Sequence, residues 1–122
     1  MGHAFEPISG DILGAAVEVH RALGPGYHES VYEAALCVEL QLRGIPHVRQ
    51  HEVVLHYKDR EVGRHRLDLI AAGEIVVEIK AVSDLNDVHL AQTLSYLKSS
   101  KIPIGLILNF GKATLDSRRV VR

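Results

Sequence analysis

Tryptophan is absent, cysteine and methionine occur once each, and aromatic residues make up only 5% of the chain. A single cysteine, Cys37, cannot close an intramolecular disulfide, and no charged segment followed by an apolar stretch opens the chain, so a reducing, cytoplasmic compartment is expected. Cys37 falls inside an apolar helical pattern and reads as a packed thiol. No apolar run approaches the roughly 18 residues that span a bilayer, which excludes a membrane-spanning helix. Neither sign of charge dominates. Lys plus Arg total 14 against 15 for Asp plus Glu, a formal charge of -1, so the gross balance announces neither a nucleic-acid nor a membrane binder. No Cys/His cluster has zinc spacing, no Ser/His/Asp order stands out, and no P-loop, GxGxxG or other organic-cofactor signature occurs.

What is present is an ordinary globular composition, 47% hydrophobic and 24% charged over 122 residues, the size of one domain. The charge is unevenly spread. Residues 1–40 hold one basic residue, Arg21, and six acidic ones, whereas residues 41–122 are net basic. Eight histidines add positive charge below about pH 6.5.

Apolar positions Ile12, Ala16, Val19 and Leu23 recur at helical spacing behind Ser9 or Asp11 as the cap, and Gly24-Pro25-Gly26 ends that helix. A second helix is expected from His28 or Glu29 to Leu42, with Gly44 just past its end and Ile45-Pro46 confirming the break. Beyond Pro46 the period changes to two. Residues 48–57, 62–70 and 75–82 read as an antiparallel meander with turns at Lys58-Asp59-Arg60 and at 71–74. A third helix is expected over 87–100, capped by Asp87, then an apolar strand over 104–110. The order is ααβββαβ, an α/β domain with a central mixed sheet, with an edge strand through Arg119 to Val121 as one reading of the basic tail.

The third strand is apolar on both faces apart from Glu78 and Lys80, which period two puts on one face. Charges in such a run cost several kcal/mol each unless they are paired or coordinate something. A hairpin centred on Gly73 places Asp68 opposite Glu78, and two converging carboxylates are destabilising unless a cation cancels them. Hard oxygen ligands of this kind suit Mg²⁺ or Mn²⁺. Lys80 would point at the same place and orient or stabilise a hydroxide attacking a phosphodiester. The bland alternative is a Glu78–Lys80 ion pair on a half-exposed strand.

Asp68, Glu78 and Lys80 resemble the signature of the PD-(D/E)XK nuclease superfamily, whose core is a helix, a three-stranded meander, a helix and a further strand. Leu67 stands where the signature proline is expected, a position that commonly varies. The segment Gly26-Tyr27-His28-Glu29-Ser30-Val31-Tyr32 is similar to the naming motif of the bacterial GxxExxY family within it, as are His20, Gln92 with Tyr96, and Asn109-Phe110-Gly111. The resemblance covers roughly residues 12–121. It implies a Mg²⁺- or Mn²⁺-dependent DNA phosphodiesterase with metal held by Asp68, Glu78, the Ile79 carbonyl and Glu29. It also implies that Gln92 and Tyr96 orient the site lysine or a substrate phosphate. Helix-dipole stabilisation alone would explain Glu29. Tyr32 either buttresses Glu29 or is a core aromatic, His89 either joins the Gln92 face or is a plain surface residue, and His20 is either structural or minor to the site.

Arg64 and Arg66, read as sharing a face with Asp68, and Arg118 and Arg119 in the tail are the candidate phosphate contacts. Leu90, Leu94 and Leu97 lie opposite Gln92 on the helical wheel. That stripe needs a partner, either the early helices or a second copy of the chain, and a homodimer is the expectation. The rival function is a catalytically silent nuclease-fold module that binds nucleic acid or a protein partner.

Overall fold

The computed structural model describes residues 7–122 as helices α1 (Pro7–Leu23), α2 (Glu29–Leu42) and α3 (Asp87–Ser100) around one sheet. Its strands are β1 (His47–Tyr57), β2 (Arg60–Ala71), β3 (Ile75–Lys80), β4 (Ile104–Asn109) and β5 (Asp116–Val121), hydrogen-bonded in that order. The protein is thus an α/β domain with a mixed five-stranded sheet and the order ααβββαββ. The expected order lacked one strand. β5 pairs with β4 along its whole length, so the tail is a strand from Asp116 onward rather than from Arg119. Its sequence, Asp-Ser-Arg-Arg-Val-Val, is polar where it is exposed, as an edge strand is.

Local chemistry sets the boundaries. Ser9 and Asp11 lie within α1 instead of capping it. Gly44 (φ 71°) closes α2 in a Schellman arrangement, with the Ile45 amide on the Leu40 carbonyl and its own amide on the Gln41 carbonyl. Lys58 and Asp59 both have positive φ, so the β1–β2 turn needs two residues and β2 starts at Arg60. Asn86, not Asp87, caps α3. Its side chain accepts from the Val88 and His89 amides while the His89 ring accepts from the Asn86 amide, a capping box that occupies His89.

β3 ends at Lys80 rather than Val82, because the next amides are taken by side chains: Ala81 by Glu29 and Val82 by Asn109. Likewise β4 ends at Asn109, and the Phe110 amide bonds the Lys80 carbonyl. A Cβ on Gly111 would overlap the Val82 backbone, so glycine is required at this crossing.

α1 and α2 pack on one face of the sheet, over Leu69, Ile75, Val77, Ile79, Leu106 and Phe110. The other face, carrying Leu67, Ile70, Val76 and Ile107, is covered by α3. The run in β3 is apolar because both faces are covered. α3 is the crossover between parallel strands β3 and β4, and it sits so close that a Cβ on Gly105 would stand 3.0 Å from Thr93 and 3.2 Å from Leu97. Leu97 is fully buried and Leu90 packs beside it, so the leucine stripe finds its partner in the chain's own sheet and only Leu94 stays exposed. The argument for a second copy of the chain falls with it. Cys37 is buried and free, and burial pushes its thiol pKa up. Among the described residues no helix is long and apolar enough to cross a membrane.

Candidate active site

The β2–β3 ladder runs through Ala71↔Ile75, Ile70↔Val76 and Leu69↔Val77, the register that a turn at Gly73 predicts. Ala72 and Gly73 both have positive φ, and the Glu74 amide closes the turn on the Ala71 carbonyl. One step further along this register Asp68 and Glu78 are opposed, and there the ladder stops. The Ile79 amide bonds the Asp68 carboxylate at 2.8 Å in place of a strand carbonyl.

Glu78 is 3% exposed, and its Oε2 has no hydrogen-bond partner. Burial, then the charge of Asp68, pushes its pKa up to about 9. The Asp68 pKa is raised too, chiefly by burial, against the lowering effect of the Ile79 amide, with the charge of Glu33 adding to the rise. Two desolvated carboxylates, one with an orphaned oxygen, suit a hard divalent cation in donor type and in charge.

The Lys80 ammonium donates to Gln92 Oε1 at 3.0 Å, which brings the β3 lysine and the α3 glutamine together. Tyr96, one turn beyond Gln92, is partly buried. Burial and then the charges of Glu78 and Asp68 raise its hydroxyl pKa. Its other neighbour is the His65 ring, edge-on at 4.6 Å, whose Nδ1 lies 2.9 Å from Ser99 Oγ.

Glu29 lies at the end of β3, where its Oε2 accepts from the Ala81 amide at 3.3 Å beside an opening lined by Tyr27, His28 and Ser30. Among the described residues no three His, Cys, Asp or Glu side chains gather closely enough to hold an ion, so Glu29 does not join the acid pair in this arrangement. The helix carboxylate that Asp68 feels is Glu33. Glu33 is buried, paired with Arg49 at 3.0 Å, and bonded by the Gln50 amide group at 3.0 and 3.1 Å. It was missed by sequence reasoning, although its i+4 spacing from Glu29 puts both on one face of α2.

Arg64 and Arg66 do not share a face with the acid pair. They alternate with His65, which packs on α3, and they pair with Glu52, Arg64 also with Glu61. The alternation fails because it slips at Asp68: Leu67 and Ile70, three apart, both face α3. β1 turns over at the same point, where Gln50 takes a left-handed φ of 51° between His51↔Leu67 and Arg49↔Leu69. Arg118 pairs with Ile107, which pairs with Glu78, so it lies two strands from the site in the same row. Arg119 pairs with Leu106 of the α1/α2 core.

Tyr32 is a core aromatic. It stacks on Phe110 at 4.5 Å, donates to the Gly24 carbonyl at 2.6 Å and accepts from the Tyr27 amide at 3.1 Å. His20 packs edge-on against both rings and hydrogen-bonds the Lys112 carbonyl through Nε2 at 2.7 Å. Asn109, fully buried, clamps the Val82 amide and carbonyl.

The family model of the PD-(D/E)XK nuclease superfamily matches residues 6–120, nearly the whole chain. No curated protein and no solved structure matches.

Proposed function

Because this chain belongs to the PD-(D/E)XK nuclease superfamily, we propose that it hydrolyses DNA phosphodiester bonds with the help of Mg²⁺ or Mn²⁺. The observation that carries the reading is the buried Asp68–Glu78 pair, with an unpartnered Glu78 oxygen, beside a lysine directed by Gln92. Asp68, Glu78 and the Ile79 carbonyl would hold the ion. When bound, it supplies Lewis acidity and charge neutralisation at the scissile phosphate.

The remaining roles belong to the chain's own groups. Lys80 Nζ, held by Gln92 Oε1, orients the attacking water and stabilises the negative charge that grows on the phosphate oxygens. Tyr96, one turn beyond Gln92, would help orient a substrate phosphate. Glu29 fixes the Ala81 amide and with it the end of the strand that carries Lys80. The motif from Gly26 to Tyr32 supports placement in the GxxExxY group. A reducing, cytoplasmic setting suits a chain whose one thiol is free and buried.

The test is cleavage of single- and double-stranded DNA across a range of divalent ions, with Asp68→Ala and Lys80→Ala as controls, alongside Mn²⁺ calorimetry. Cleavage lost in both variants, with a Mn²⁺ signal lost in Glu78→Ala, is expected. DNA binding with neither cleavage nor a Mn²⁺ signal would instead establish a silent binding module.

A further inference from the structure

A groove of about 380 Å³ runs between α3 and the β1–β2 hairpin. Its polar wall is made by His56, His65, Ser95, Lys98 and Ser99, and its apolar wall by Val54 and Leu55. Among the described residues no carboxylate lines it. Lys98 is exposed on α3 and among the described residues has no carboxylate within ion-pair distance, unlike Arg64 and Arg66, whose charges Glu52 and Glu61 compensate. The groove lies next to the candidate site along α3: His65 forms part of its wall and packs edge-on against Tyr96, one turn beyond the Gln92 that holds Lys80.

We propose that this groove receives one strand of nucleic acid beside the scissile phosphate, with Lys98 neutralising a backbone phosphate. The inference rests on the nuclease reading and extends it to the path of the substrate. Charge complementarity selects the occupant: an uncompensated cation and two imidazoles face an opening that no described carboxylate lines, while Val54 and Leu55 offer an apolar strip for sugars or base faces. Such a contact is sequence-independent and salt-sensitive.

The test is fluorescence anisotropy of a labelled single-stranded DNA oligonucleotide in EDTA over a series of salt concentrations. The wild type is compared with Lys98→Ala, Lys98→Glu and, as a control on the opposite side of the sheet, Arg21→Ala. Loss of one phosphate contact lowers the slope of log K against log salt by about 0.7 for a single strand. That drop is expected in Lys98→Ala with several-fold weaker binding, a larger loss is expected in Lys98→Glu, and no change is expected in Arg21→Ala. Circular dichroism verifies the fold of each variant. Binding by the wild type with the same slope in Lys98→Ala overturns the groove and leaves the nuclease reading standing. A wild type that neither binds DNA in this assay nor cleaves it with a divalent ion overturns both.

Discussion

Asp68 accepts the Ile79 amide at 2.8 Å at the point where the backbone ladder between their strands has ended. One carboxylate oxygen therefore serves the fold, and the group as a whole faces Glu78. The two duties separate by substitution. Asp68→Asn keeps an acceptor for the amide and removes the charge that opposes Glu78, so its melting temperature should equal or exceed that of the wild type. Asp68→Ala leaves the amide without its partner and should cost about 1–3 kcal/mol. Both variants should lose cleavage. Thermal melts beside a DNA-cleavage assay check this, and a strongly destabilised Asp68→Asn would contradict it.

The pH dependence of stability follows from Glu78. Its folded pKa of about 9 stands above the ordinary 4.5. Between those values the folded protein holds a proton that the unfolded chain has released, so stability without metal must fall as pH rises through that window. The slope for one proton approaches about 1.4 kcal/mol per pH unit. The raised pKa of Asp68 acts in the same direction. Urea denaturation in EDTA at several pH values should show the decline, and Glu78→Gln should flatten it; an equal decline in that variant would refute the assignment.

Gln92 touches Lys80 from an exposed position on α3. Gln92→Leu should leave the melting temperature nearly unchanged, since the helix docks through Leu97 and Thr93 instead. A hydrogen bond to a charged group is worth about 1.5–3 kcal/mol, so cleavage should slow by about 10- to 100-fold. Single-turnover rates at saturating DNA are the measurement, and Gln92→Glu, which retains an acceptor for Lys80, should recover part of the loss.

Tyr32 ties the loop between α1 and α2 to the core through its hydroxyl. Tyr32→Phe should destabilise the protein by about 1–3 kcal/mol while the folded variant keeps its cleavage rate. Chemical denaturation paired with initial rates separates this from a direct role in the site.

Much of the scaffold was legible because its signals are local. The period changes after Pro46, Gly44 stops α2, and the turn at Gly73 sets the register that opposes Asp68 and Glu78. Features that depend on distant packing were not legible. The slip of facing at Asp68 follows from a left-handed Gln50 on another strand, so simple alternation misassigned Arg64 and Arg66. Glu33 carries no sequence signal of its own, because its burial arises from Arg49 and Gln50 reaching across from β1. The leucine stripe suggested a second subunit because a helical wheel cannot show that Gly105 opens room for α3 on the sheet. The start of β5 is hidden in the sequence because half of the strand is charged.

The sheet amounts to two ribbons. β1 with β2 forms a long hairpin, β3 with β4 and β5 forms a slab, and only three cross-strand pairs stitch the one to the other. Asp68 rides on the hairpin, while Glu78 and Lys80 ride on the slab. The spacing of the two carboxylates therefore depends on this short seam and on the turn at Ala72-Gly73 that closes it.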